Sequence, residues 1–152
     1  MFQKVLFIGL TLISNQLCAE NYDFKPGLWE TTTTSKVIEV DAPAEIKKMM
    51  QRMAKMPVRT ETECITSINS VFNTEPEPGD AEECKTTINR VNSNKMTFEM
   101  LCTGEDGTSK GMGEMNLRGE AFTSSLVMTS INGPMTMKMK IVGNGKYIGA
   151  CR

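Results

Sequence analysis

The sequence contains no histidine. That removes Ser-His-Asp and Cys-His nucleophilic catalysis, imidazole-ligated zinc, and the usual general base near neutral pH. Charge of one sign is also in short supply, with 17 basic side chains against 18 acidic ones and a net charge of −1. No basic surplus is available to neutralise a phosphate backbone, so nucleic-acid binding is not expected. No C-x-x-C pair occurs, which argues against a zinc knuckle. No serine stands in a Gly-x-Ser-x-Gly elbow or a Ser-x-x-Lys motif, and no acid–base pair stands out. An enzyme of unknown type is therefore the least supported reading, and no cofactor is implied.

What the chain does have is 152 residues, 13 methionines and 5 cysteines. That length suits one domain with a single core. The only long apolar run is Val5 to Ile13, preceded by Lys4. It is too short for a bilayer, which needs about 20 apolar residues, but it suits the centre of a secretory signal. Leu17-Cys18-Ala19 then offers cleavage after Ala19, giving a signal peptide over 1–19 and one β-rich domain over 20–152. Lipoprotein processing at Cys18 is the rival, but Leu17 is too large for the position before such a cysteine. The expected location is the periplasm, with no membrane-spanning segment once the signal is removed.

Loss of Cys18 leaves Cys64, Cys84, Cys102 and Cys151, an even number that reads as two disulfides in an exported chain. Beyond residue 84 the chain alternates apolar and polar residues in short runs separated by Gly and Asn turns, the pattern of an antiparallel meander. Residue numbers of opposed pairs in a hairpin have a constant sum, and opposed residues share a face, so each hairpin can be tested for consistency. A loop at 92–94 sets Ile88 against Phe98. A loop at 104–107 sets Met100 against Gly111 and Phe98 against Gly113. A turn at Gly119-Glu120 sets Leu117 against Phe122 and Gly113 against Leu126. A four-residue loop from Ile131 to Pro134 sets Met128 against Met137 and Leu126 against Met139. A tighter turn is disfavoured because Pro134 has no N–H to donate. One face through Ile88, Phe98, Met115, Leu117, Phe122, Leu126, Met128, Met137 and Met139 is predicted to be core.

Upstream, Leu28 to Val40 and Val58 to Ile65 are rich in Thr and β-branched residues and are predicted strands. Between them a helix is expected over 42–56, capped by Asp41, with Pro43 and Glu45 in its first turn and Pro57 ending it. Ile46, Met49, Met50, Met53 and Met56 share one face of that helix, and Lys47, Lys48, Gln51, Arg52 and Lys55 the other. Asn73 to Glu83, acidic and proline-containing, reads as a loop.

Pro26-Gly27-Leu28-Trp29-Glu30 after the signal, the four placed cysteines, Cys102-Thr103-Gly104-Glu105-Asp106-Gly107-Thr108, and the closing Gly149-Ala150-Cys151 together resemble the exported bacterial domain-of-unknown-function 3617 family. The resemblance implies a periplasmic, mostly β protein without an established activity. Members of that family usually carry a Met/Pro-rich loop where a helix is read here. Gly27-Leu28-Trp29 also matches the Gly-x-Trp opening of lipocalin-type barrels, a likeness of fold that names no ligand. The expected architecture is mainly β: an antiparallel meander forming one barrel-like or half-open sheet with one short helix.

The expected function is a non-enzymatic binding or accessory module for an apolar small molecule or an envelope protein. The helix would serve as a lid over the sheet or as a contact surface for a partner. Candidate ligand-binding residues are Trp29, Met49, Met53, Met128 and Met137. The alternative is a Cu(I) or Ag(I) chaperone using the thioethers of Met135, Met137 and Met139. Against it, neighbours on one face of a strand stand nearly 7 Å apart, and inward methionines commonly fill cores. For the disulfides, Cys64–Cys84 with Cys102–Cys151 is preferred, because it ties down the acidic loop and the chain's end. The competitor is Cys84–Cys102 with Cys64–Cys151, since the register above opposes Cys84 with Cys102. A two-residue Ser93-Asn94 turn would count against it by turning the two sulfurs to opposite faces.

Overall fold

The computed structural model describes residues 22–53, 56–72, 83–105 and 107–151. The expected signal peptide, its cleavage point and most of the acidic loop lie outside the described residues. Seven strands are present: β1 (Gly27–Asp41), β2 (Arg59–Ile65), β3 (Glu83–Asn92), β4 (Lys95–Gly104), β5 (Gly107–Arg118), β6 (Ala121–Asn132) and β7 (Met135–Gly149). They form one sheet in the order β2-β1-β7-β6-β5-β4-β3, and every neighbouring pair is antiparallel. The sheet does not close, and β2 and β3 are its edges. The meander from β3 to β7 is the one expected. The first strand is added beside the last, a non-local pairing that the alternation of residues along each strand does not encode.

Register follows the alternation closely. Ile88 opposes Phe98, Met100 opposes Gly111, and Leu117 opposes Phe122, as expected. One hairpin is corrected: Met128 opposes Met139, and Leu126 opposes Ile141. The turn between β6 and β7 is the two-residue Gly133-Pro134, not a four-residue loop. Gly133 supplies a left-handed φ of 54°, and Pro134 takes the second turn position, whose N–H is not the one that closes a hairpin. The missing donor therefore costs nothing there. The shift is two residues, so every side chain keeps its face.

The short helix α1 (Ala44–Met53) is shorter among the described residues than the 42–56 expected. Its first turn closes with the Lys47 N–H donating to the Pro43 carbonyl at 2.9 Å. Asp41 is still in β1, opposite Thr136. A 3-10 turn over Ile68–Phe72, which the sequence reading did not anticipate, follows β2.

The core sits at one end of the inner face. Trp29, Met96, Met115, Leu117 and Phe122 are buried there with Ile65, Ile68 and Phe98, and Tyr22, Phe24, Val71 and Phe72 pack on them. Phe24 stacks on Trp29 with ring centroids 4.8 Å apart, and Phe72 meets Phe98 at the same separation. The segment before β1 and the 3-10 turn thus plug one end of the curled sheet. Asp23 anchors the plug: its N–H donates to the Ser93 carbonyl at 2.7 Å, and its carboxylate accepts from Asn94 Nδ2 at 2.8 Å.

Bare backbone makes this packing possible. A Cβ on Gly113 would overlap the Phe98 ring, and one on Gly145 would overlap the Phe122 ring. Large side chains therefore lie flat across neighbouring strands and let the sheet curl tightly.

The disulfide preference is also corrected. The bridges are Cys84–Cys102, with Cα atoms 4.0 Å apart, and Cys64–Cys151, at 5.5 Å. The β3–β4 turn is the two residues Ser93-Asn94 rather than the three-residue loop expected at 92–94, yet the sulfurs still meet. A bulge between Arg90 and Asn92 absorbs the extra residue and restores the register that opposes Cys84 with Cys102. Cys64 and Gly149 flank Leu28 on its two sides, so the residues after Gly149 have only β1 to cross for Cys151 to reach Cys64.

Candidate functional site

Of the residues expected in the core, Phe98, Met115, Leu117 and Phe122 are buried, and Ile88 and Leu126 pack against the cluster. Met128, Met137 and Met139 are only half-buried and belong to none of that packing. The inner face therefore has two halves. One is a plugged core; the other is an apolar surface continuing the same strands.

Pairing defines that second surface row by row. Met100 of β4 opposes Gly111, Gly111 opposes Met128, and Met128 opposes Met139, which in turn opposes Val37 of β1. Ser130 and Met137 are neighbours in the adjoining row, with Val40 beyond them. Gly111 contributes no side chain, so Met100 and Leu126 close over it; a Cβ there would stand 2.9 Å from Leu126 Cδ1. No charged side chain stands in either row among the described residues. The polar groups present are consumed locally: Ser109 and Ser130 share a hydrogen bond at 2.9 Å, and Cys102 is bonded to Cys84. The surface offers a ligand thioethers, aliphatic groups and nothing charged.

The sequence-derived candidates divide between the two ends of the fold. Met128 and Met137 lie on the half-buried surface, on adjacent strands. Met139 lies beside them and directly opposite Met128. Met135 is on the same strand, opposite Asn132. Trp29 is elsewhere. It is fully buried, its indole N–H donates to the Lys25 carbonyl at 3.0 Å, and it pairs with Tyr147. Met139 and Tyr147 are eight residues apart along β7, roughly 26 Å at about 3.3 Å per residue. Met49 is on α1, 54% exposed, in a helix that packs against β1. Met53 is the last residue of that helix. Met100, Val37 and Ile141 were missed as candidates. The opposition of Met100 with Gly111 was already legible, and following it one hairpin further would have led to Met128.

Electrostatic perturbation is confined to the periphery. Lys25 is held above its ordinary value by a hydrogen bond to Glu120 at 2.5 Å, and its ammonium sits 4.2 Å over the Tyr147 ring. Glu114 is held below the usual carboxylate range by a hydrogen bond and charge from Lys95, at 2.8 Å. Neither belongs to a catalytic constellation. Among the described residues no group of three His, Cys, Asp or Glu is placed to hold a metal ion, and no helix is long and apolar enough to cross a membrane.

An open antiparallel sheet, two disulfides and an uncharged apolar inner surface among the described residues define a small disulfide-bonded β protein. Over residues 24–151 the chain matches the family described as Protein of unknown function (DUF3617), and it belongs to that family. Neither a curated protein nor a solved structure matches it.

Proposed function

We propose that this protein is an exported, non-enzymatic binding module, comprising residues 20–152 after signal removal, that holds an uncharged apolar small molecule. One observation carries the reading: the half of the inner face beyond the core is apolar, half-buried and free of charge among the described residues. A folded domain has little reason to leave a contiguous apolar surface outside its own core unless something covers it. Methionine suits such a surface, because an unbranched thioether side chain adapts to ligands of irregular shape. The two disulfides fit an oxidising compartment such as the periplasm.

Native mass spectrometry of protein taken directly from periplasm tests the proposal. A retained apolar molecule should add mass to the wild-type chain and be lost in Met128→Glu, which places a charge in the middle of the row. Bare wild-type protein that also fails to take up an apolar fluorescent probe would overturn it.

A second reading has an observation of its own. Met100, Met128 and Met139 stand in one cross-strand row interrupted only by Gly111, a better soft-metal arrangement than the in-line Met135, Met137 and Met139. Thioethers suit Cu(I) and Ag(I). Titration with Cu(I) against a chelator separates the readings: the chaperone reading requires binding far tighter than millimolar, lost on Met128→Leu.

A further inference from the structure

β2 covers only part of β1. Its seven residues pair with Gly27–Thr33, and Arg59 stands opposite Thr33. From Thr34 to Asp41, β1 has a strand on its β7 side alone among the described residues. The chain leaves β1 at Asp41 and re-enters the sheet at Arg59, beside Thr33. These two points are eight residues apart along β1, roughly 26 Å at about 3.3 Å per residue. The connection therefore has to return past the uncovered stretch. Its middle is α1 (Ala44–Met53), about 15 Å long at about 1.5 Å per residue.

The same stretch of β1 carries the edge of the apolar surface. Val37 ends the row through Met139, Met128 and Gly111, and Val40 ends the row through Met137 and Ser130. At the plugged end β2 stands on that side of β1; at the apolar end the returning helix takes its place.

α1 has an apolar face of its own that the core does not use. Ile46, Met49 and Met50 fall at helical spacing on one side. Ile46 and Met50 are half-buried, Met49 is 54% exposed, and none of the three belongs to the core cluster or to the residues packed on it. Glu45, Lys47 and Lys48 are exposed. An amphipathic helix normally buries its apolar face against the core of its domain. Here two apolar faces lie outside the core, and the path of the chain sets them side by side.

We infer that α1 is the cover of the apolar surface: it closes over a bound uncharged molecule, and Ile46, Met49 and Met50 form the wall opposite Met128 and Met137. The inference rests on the small-molecule reading above and adds the residues that complete its site. Closure takes three partly solvated side chains out of water, so it is driven by the same apolar contact that holds the ligand. The helix packs on β1 without belonging to the sheet, and it can move as a unit while every strand pairing stays intact.

The uncharged probe N-phenyl-1-naphthylamine tests it, with protein expressed from the full sequence. Wild-type protein should bind the probe with a rise in fluorescence, and binding should slow amide exchange in α1 by about tenfold or more. Ile46→Ser with Met49→Ser should weaken probe binding and speed probe release by about tenfold or more, since two apolar contacts are lost. Lys47→Ser with Lys48→Ser alters the helix equally and leaves its apolar face intact, so it should bind as the wild type does. Met128→Glu should abolish binding and the slowed exchange together. Binding that is lost in Met128→Glu but leaves α1 exchange unchanged, or that is indifferent to Ile46→Ser with Met49→Ser, would overturn the cover and leave the binding surface standing. Equal weakening by the lysine variant would also overturn the cover. Absence of binding by wild-type protein would overturn both. Slowed α1 exchange that follows protein concentration instead of the probe would make the helix a contact between copies and overturn the cover as well.

Discussion

Phe122 lies across the bare backbone of Gly145 on the adjacent strand, which lets its ring approach Trp29, two strands away, to a centroid separation of 5.4 Å. The relationship is steric. Gly145 does not need a left-handed backbone, so alanine fits its conformation and fails only for want of room. Gly145→Ala should destabilise the fold by about 1–3 kcal/mol through overpacking. Gly133→Ala provides the contrast, since nothing lies within 4 Å of its position and the cost is a left-handed φ of 54°. It should lose about 1–2 kcal/mol. Combining Gly145→Ala with Phe122→Leu should recover part of the Gly145 loss and none of the Gly133 loss. Urea unfolding with the disulfides intact measures all three.

The two disulfides close loops of different size, with sequence separations of 18 and 87. In the loop-entropy account, replacing Cys84 and Cys102 by serine should cost about 3 kcal/mol, and replacing Cys64 and Cys151 about 4–5 kcal/mol. The second bridge also secures the end of the chain beside β2, an edge strand of seven residues. Its loss should therefore raise amide exchange in β2 before the rest of the sheet. Non-reducing peptide mapping should recover both pairs, and a peptide joining residues 64 and 84 would contradict the structure.

Glu114 offers a pH signature. Its carboxyl titrates below the ordinary value because Lys95 donates to it and adds a favourable charge. A depressed folded value means that the pair supports folding above the unfolded carboxylate value and ceases to do so as pH falls through the folded one. Both side chains are exposed, so the contribution is small and screened by salt. Lys95→Met should return the Glu114 carboxyl to the usual range, read by NMR titration, while changing the melting temperature little.

Three of the four hairpins in the meander could be paired from alternation alone, because each lies between apolar runs whose faces admit one register. The β6–β7 hairpin was misplaced by two residues. Pro134 argues against a tight turn only where an N–H at its position would close the hairpin, and the second turn position that it occupies does not supply that donor. The preferred disulfide pairing fails because it rests on tying down the acidic loop, although the register already opposes Cys84 with Cys102; the bulge at Val91 that keeps this register across a two-residue turn, in place of the loop expected at 92–94, is not legible in the alternation. Bulges answer to twist and edge geometry, which the alternation of residues does not record. The place of β1 beside β7 and the 3-10 plug are long-range results of curling. The half-buried methionine row was half visible, since Met100 opposite Gly111 followed from the β4–β5 register. Its separation from the core was not, because alternation shows which face a residue takes and not how far along that face the plug extends.

That division of the inner face can be measured directly. Met96 and Met128 are chemically identical and lie on the same face of the sheet. Met96 is fully buried in the plugged half, and Met128 is half-buried in the other. Met96→Ala removes packed atoms and leaves a cavity, and should cost about 2–5 kcal/mol. Met128→Ala removes side-chain area that is already partly in contact with solvent, and should cost about 1 kcal/mol. If an apolar ligand occupies that half, adding it should raise the melting temperature of wild-type and Met96→Ala protein by the same linkage term, and that of Met128→Ala by less. Equal costs for the two alanine substitutions would mean that one continuous core runs the length of the sheet, leaving no separate surface to hold a ligand.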